Sequence, residues 1–274
     1  MSSTFVEAAV GVMVVLTAVE ARADHDDPAG PQLTDDTAFT VPEGDVKLGL
    51  LTLEYGLLDQ LQVGTIHLFD LVLFPNALVE WQPLRGSWGA VSLAGGAAYV
   101  HTRLAKQFFE DLPIADLLIL PVEVLGTFSV HPQWSLTAGT AFTGMFVEGT
   151  FNDDDFAGAA AVSNLQLHAT LEWRISSLVA MQLHGRYLVF QTAGATAEAD
   201  VMADDFTSIR AVAVAESDIL DFPHAFQVVP RFHFSWRTFN LAAGVGYGNP
   251  VIPFVNFVLP DRFVLPELDF YWRF

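Results

Sequence analysis

Apolar and polar residues alternate with a period of two along much of the chain, the pattern of strands whose two faces meet different surroundings. Asn164–Arg174 shows it most cleanly. Leu165, Leu167, Ala169, Leu171 and Trp173 share one face, and Gln166, His168, Thr170, Glu172 and Arg174 share the other. Leu178–Gln191 sets Val179, Met181, Leu183, Tyr187 and Val189 against Gln182, His184 and Arg186. In Phe226–Trp236 the residues Phe226, Val228, Phe232, Phe234 and Trp236 alternate with Gln227, Arg231, His233 and Ser235. The last stretch, Phe263–Phe274, places Leu268, Phe270, Trp272 and Phe274 opposite Glu267, Asp269, Tyr271 and Arg273. An all-β fold follows. A soluble sandwich alternates in the same way, so the connections must decide between architectures.

The connections alternate in length. Short turns are expected near Gly56–Gln60, Leu84–Ser87, His131–Gln133, Ile175–Ser177 and Arg237–Thr238. Longer ones fall between them, near Asp70–Pro75, Thr102–Asp116, Phe151–Val162, Thr192–Pro223 and Asn249–Asp261. Trp81, Trp88, Trp134, Trp173 and Trp236 sit close to short turns, and Trp272 sits close to the C-terminus. Six tryptophans at one end suit an interface girdle, because indole favours the boundary between an apolar medium and water. Core tryptophans have no reason to sort by end. Both observations predict a single antiparallel transmembrane β-barrel with short turns on one side and long loops on the other. Counting back from Phe274 gives eleven segments, the earliest at Val46–Tyr55. An even number is the rule, so about twelve strands are expected, with ten as the alternative. Thr37–Pro42 could supply the twelfth, although a crossing takes about 9–11 residues. Ile209–Ala215 alternates weakly within the longest loop.

Composition agrees. Of 274 residues 52% are apolar, yet the longest clean apolar run is Ala8–Val19. A spanning helix needs about 20 such residues. That run followed by Ala21-Arg22-Ala23 reads as a signal peptide over residues 1–23, cleaved before Asp24. Its first residues lack Lys and Arg and include Glu7, as a misassigned start codon would give. The absence of cysteine excludes disulfides and Cys-ligated metals. Asp24–Asp45 holds seven acidic residues and no basic one, with Pro28, Gly30 and Pro31, and reads as an acidic flexible segment that could contribute a first strand. The barrel is then 46–274. Thr192–Pro223 carries seven acidic residues against one basic. The acid thus concentrates in the tail and long loops, while a lipid-facing wall must stay neutral. A net charge of −20 disfavours nucleic acid as a partner.

The final strand, Phe263-Val-Leu-Pro-Glu-Leu-Asp-Phe-Tyr-Trp-Arg-Phe274, resembles the terminal strand of Gram-negative outer-membrane β-barrel proteins. In that class a closing Phe, with apolar residues at every second position, is read by the barrel-assembly machinery. The stretches Val41-Pro-Glu-Gly-Asp45, Glu54–Thr65 and Phe74–Trp81 are also similar to uncharacterised barrels of that class. The resemblance implies an outer-membrane location with lipid and lipopolysaccharide as surroundings, and is specific for architecture rather than activity; a monomer with a passive role is expected. That role is a narrow channel for small solutes or ions, or a structural barrel.

Alternation assigns Gln166, His168, Glu172, Arg174, Gln182, His184, Arg186, Arg231, His233, Glu267, Asp269 and Arg273 to the lumen. A turn centred on Ser176 would place His168 opposite His184 and Gln166 opposite Arg186, within about 5.5 Å. Two imidazoles so placed are candidate metal ligands, but no third ligand stands nearby and ordinary luminal pairing explains them equally well. A lipid- or peptide-hydrolysing enzyme is the rival reading. His233-Phe-Ser235 supplies the start of an H-x-S-N-G phospholipase motif, but Trp236-Arg237 stands where Asn-Gly is required. Asp153-Asp154-Asp155 offers loop acids with no neighbouring His. No complete catalytic motif occurs, so no enzyme and no cofactor is expected. Acidic loops could take divalent cations that bridge to lipopolysaccharide phosphates. A secreted soluble β-barrel or sandwich binding apolar ligands is the remaining alternative, and would bury the Phe and Trp faces.

Overall fold

The computed structural model describes residues 37–67, 74–101, 114–151, 156–202, 208–217, 225–236, 238–249 and 262–274. Thirteen antiparallel strands run in chain order: β1 Val46–Gly49, β2 Thr52–Leu58, β3 Leu61–Ile66, β4 Asn76–Gly86 and β5 Gly89–His101. They continue with β6 Ile114–His131, β7 Trp134–Phe151, β8 Phe156–Arg174, β9 Val179–Met202 and β10 Ser208–Ser217. The last are β11 Phe226–Ser235, β12 Phe239–Gly248 and β13 Phe263–Arg273. Twelve of them close a single barrel, in which β1 pairs with β13 and β8 pairs with β9. The thirteenth, β10, stands outside the ring. The 24-residue β9 pairs with β11 from Val179 to Tyr187 and with β10 from Ala193 to Met202.

The distribution of side chains is inverted relative to a soluble domain. The largest fully buried side chains include Gln82, Gln182, Asn164, Asn240 and Thr127. Leu167, Leu183, Phe232, Tyr247, Val264 and Leu268 are exposed on the outer face. Strict period-2 alternation produces this, since successive side chains of a strand point to opposite faces of the sheet. Closing the ring removes the sheet edge along most strands, so their backbone groups pair without water. The Phe and Trp faces that a soluble sandwich would bury point outward.

Four of the five expected short turns lie wholly among the described residues, and β11 pairs with β12 on either side of the fifth, where Arg237 lies outside them; all five fall at the end that also holds Phe274. There Trp134 and Trp173 stack across the β7–β8 register at 5.5 Å, and Trp236 stacks on Phe239 at 5.5 Å. Gly89 closes the β4–β5 turn at φ +140°, where a Cβ would lie 1.9 Å from the Thr127 carbonyl oxygen.

Four expectations change. Val46–Tyr55 is two strands that turn at Leu50-Leu51, and this hairpin supplies the twelfth strand. Thr37–Pro42 therefore adds no strand, and residues 37–45 are no flexible tail: they cross the lumen as a hydrogen-bonded strap. The expected loop Thr192–Pro223 is largely the β9–β10 hairpin, and Ile209–Ala215 lies within β10. The β8–β9 hairpin is centred one residue later than expected, so His168 faces Arg186 and Thr170 faces His184. The same register puts Gln166 opposite Leu188, and a bulge just beyond it puts Leu165 opposite Phe190. Residues 1–36, the acids 153–155 and much of the longer loops lie outside the described residues.

Candidate functional site

Most of the polar chemistry among the described residues gathers in the lumen; a separate group, Tyr99 and His101 on Asp116, lies on the outer face of β5 and β6. The floor of the lumen at the short-turn end is the strap. Ala38 N donates to Thr127 Oγ1 at 2.8 Å, and Thr127 Oγ1 meets Thr137 Oγ1 at 2.9 Å. Thr40 Oγ1 donates to the Asp59 carbonyl at 2.9 Å, and Val41 N donates to Gln62 Oε1 at 2.6 Å. The Arg85 guanidinium covers the Phe39 ring at 5.8 Å. The strap passes so close to β2 that a Cβ on Gly56 would lie 1.8 Å from the Pro42 carbonyl oxygen. Only glycine fits there.

Above the strap a cavity of about 560 Å³ remains open. Its two sides are built differently. On the β8–β13 side the expected residues form a relay: Gln182 Nε2 donates to Glu172 Oε2 at 3.2 Å, and Arg231 Nε donates to Gln182 Oε1. Arg231 Nη1 then reaches Glu267 Oε1 at 2.7 Å. The relay joins β8, β9, β11 and β13 in a ladder perpendicular to the strands. His184 Nδ1 meets Thr170 Oγ1 at 2.7 Å, and His184 Nε2 accepts from Arg186 Nε at 2.8 Å. Accepting at Nε2 leaves the neutral ring's proton on Nδ1, where it is donated to the threonine. His168 Nε2 instead lies 3.3 Å from Glu123 Oε1. The two histidines thus have separate partners, and no three His, Asp or Glu side chains among the described residues are grouped as a metal site.

The remaining expected residues are placed as follows. Gln166 Nε2 donates to Asn164 Oδ1 at 3.2 Å, and Asp269 lines the cavity. Arg273 pairs with Asp45 at 3.2 Å, which ties the strap's root to the last strand. Arg174 lies at the short-turn end of β8, where its amide donates to the Gln133 carbonyl at 2.8 Å. His233 is buried, with Nε2 3.4 Å from Asn240 Oδ1 and its ring tilted against Tyr271, and Ser235 is also buried and inward. Both sit near the short turns, far from any outward-facing chemistry. Leu268, Phe270, Trp272 and Phe274 lie on the outer face opposite these inward groups, and Trp81, Trp88, Trp134, Trp173 and Trp236 are exposed near the short turns.

Sequence reasoning missed the β1–β6 side. Lys47 Nζ pairs with Glu54 Oε2 at 2.9 Å, and Gln62 Nε2 bridges Glu54 Oε2 (3.2 Å) and Glu80 Oε2 (2.9 Å). With Glu123 this makes an acidic half facing His184, Arg186 and Arg231. The pattern that marks them is a single polar residue in an apolar strand: Glu80 between Val79 and Trp81, Glu123 between Val122 and Val124.

The wall is also low on that side. Strands β1, β2 and β3 have 4, 7 and 6 residues, against 18, 18 and 19 in β6, β7 and β8. On its β1 side, β13 is paired only at Tyr271–Arg273, so Phe263–Phe270 has no strand neighbour there among the described residues. Leu50, Leu51, Leu265 and Leu268 line the same cavity as the luminal charges, so the cavity reaches a notch in the wall.

No family model matches the chain, and no curated protein matches it. Among the solved structures similar in shape are two channels. One is the TodX monoaromatic hydrocarbon channel deltaS2 mutant, at 9% identity and TM-score 0.41, covering 85% of this chain and 67% of that one. The other is the CymD monoaromatic hydrocarbon channel, at 9% identity and TM-score 0.34, covering 93% of each chain. Likeness this loose leaves function to the chain's own geometry.

Proposed function

We propose that the protein spans the outer membrane of a Gram-negative bacterium and acts as a narrow passive channel for small solutes. Its short turns and C-terminus face the periplasm and its long loops face outward. The membrane assignment is supported by the inverted side-chain distribution and the aromatic end, as lipid demands apolar outer faces and a ring without edges. The observation that carries the channel reading is the open, charge-lined cavity above the strap. A purely structural barrel of this size would fill its interior with side chains. No enzyme is proposed, since the buried His233 and Ser235 do not form a nucleophile and base. The test is conductance of residues 24–274 refolded into planar bilayers. Small discrete steps are expected, with larger ones after removal of 24–42; a barrel silent in both forms would be a scaffold.

The notch favours a second reading. Open sheet edges are not left against lipid unless they line a cavity, so the unpaired edge of β13 suits sideways passage of apolar solutes between lumen and bilayer. Crosslinking Leu51 to Leu268 as a cysteine pair would block that route and leave conductance intact.

A further inference from the structure

The basic side chains of the lumen mostly have a carboxylate beside them. Lys47 is bonded to Glu54, Arg231 to Glu267 and Arg273 to Asp45, and the His168 ring lies 3.3 Å from Glu123. Glu80 and Arg186 have no such partner among the described residues. Glu80 on β4 accepts from the neutral Gln62 amide at 2.9 Å and lies beside Ser92 and two further carboxylates, Glu54 and Glu123; it makes no ion pair among the described residues. Arg186 on β9 gives its Nε to His184 and meets no carboxylate among the described residues. Both line the same cavity of about 560 Å³. They lie five strands apart one way around the ring and seven the other, so they stand nearly across the lumen from each other.

Glu80 has Glu54 and Glu123 beside it with Lys47 beyond, and Arg186 has His184 beside it. A partly desolvated unpaired charge is costly, and a ligand that brings the opposite charge recovers that cost. A lone cation or anion would satisfy one wall and be repelled by the other. A molecule with both charges satisfies the two together.

We infer that the cavity between Glu80 and Arg186 binds a zwitterion, its ammonium end towards Glu80 and its anionic end towards Arg186. This rests on the channel reading only for how the ligand arrives. The cavity's size suits a small free solute, while the leucine-lined notch would admit a zwitterionic lipid headgroup with its tail outside. The shared chemistry is an ammonium and an anion on one molecule.

The test uses the refolded protein in an uncharged maltoside detergent, with isothermal titration of glycine betaine, sorbitol, choline, isethionate and dodecylphosphocholine. Betaine or the phosphocholine amphiphile should bind, and sorbitol should not. Choline and isethionate should each bind at least about tenfold more weakly. Betaine binding alone identifies a free solute, and binding of the amphiphile alone identifies a headgroup. Glu80→Gln should weaken zwitterion binding at least about tenfold and spare isethionate. Arg186→Gln should do the same and spare choline. The wild-type comparison stands even if a variant fails to fold, which heat-modifiable gel migration would reveal. Absence of zwitterion binding, or equal binding of sorbitol, overturns the inference. Liposome swelling separates it from the channel reading: no flux of any solute sinks the channel and leaves the titration to decide the site.

Discussion

The low wall of β1–β3 and the tall wall of β6–β9 are held together in different ways. The tall wall is a continuous ladder: Thr150 to Trp134 pairs residue by residue with Ala157 to Trp173, and Leu136, Phe142, Phe146, Leu167 and Leu171 are exposed on its outer face. Main-chain bonds and apolar outer faces suffice there. The low wall has few rungs, with only three residue pairs between β1 and β2 and three between β1 and β13. It depends instead on side chains, the Lys47–Glu54–Gln62–Glu80 series, and on the strap behind it. Strand length, more than residue type, decides where this barrel is strong and where it can open.

The contrast can be broken at either wall. Gly56→Val forces a side chain into the Pro42 carbonyl and should unseat the strap, raising single-channel conductance several-fold; unchanged conductance would mean the strap does not limit flow. On the tall side, Arg231→Met strands Glu267 and Gln182 in the lumen. Removing one partner of a buried ion pair costs about 3–5 kcal/mol, which urea unfolding in lipid vesicles would read. Leu167→Arg places a charge on the lipid face far from the notch and should cost about 2–4 kcal/mol, whereas Leu51→Arg can turn its head into the cavity and should cost under about 1 kcal/mol. Equal costs would show the notch closed to water. The smallest effect is Arg85→Ala, which loses the contact over Phe39, about 0.5 kcal/mol, measured in the same unfolding assay.

The tall wall was the legible one. Asn164–Arg174 and Phe226–Trp236 alternate over enough residues to fix both their faces and their turns. Where the sequence misled, local cues were absent or in conflict. The β1–β2 hairpin turns on two leucines, and the one turn-forming residue beside them, Gly49, still belongs to β1. Its trace is a change of phase: Leu48 and Leu50 face out at even positions, then Leu51, Leu53, Tyr55 and Leu57 at odd ones. The β8–β9 register slipped because Ile175-Ser-Ser-Leu178 allows either centre, and one residue moves every partner by two. The strap was illegible because its bonds go to side chains 16 to 228 residues away, beyond any local pattern. Glu80 and Glu123 were readable but were passed over as single polar residues in apolar runs.

The ring is sealed by its own two ends. Phe274 N donates to the Val46 carbonyl at 2.9 Å and Val46 N to the Phe274 carbonyl at 3.1 Å, and Asp45 meets Arg273 across 228 residues of chain. A contact so distant forms late and slowly. The residues that plug the interior are joined directly to the first strand, so they must be drawn inside before the last strand docks, or else pushed through a finished hoop. A chain cut short by even one strand would have neither a hoop nor a stopper, only a sheet with two bare margins seeking another chain.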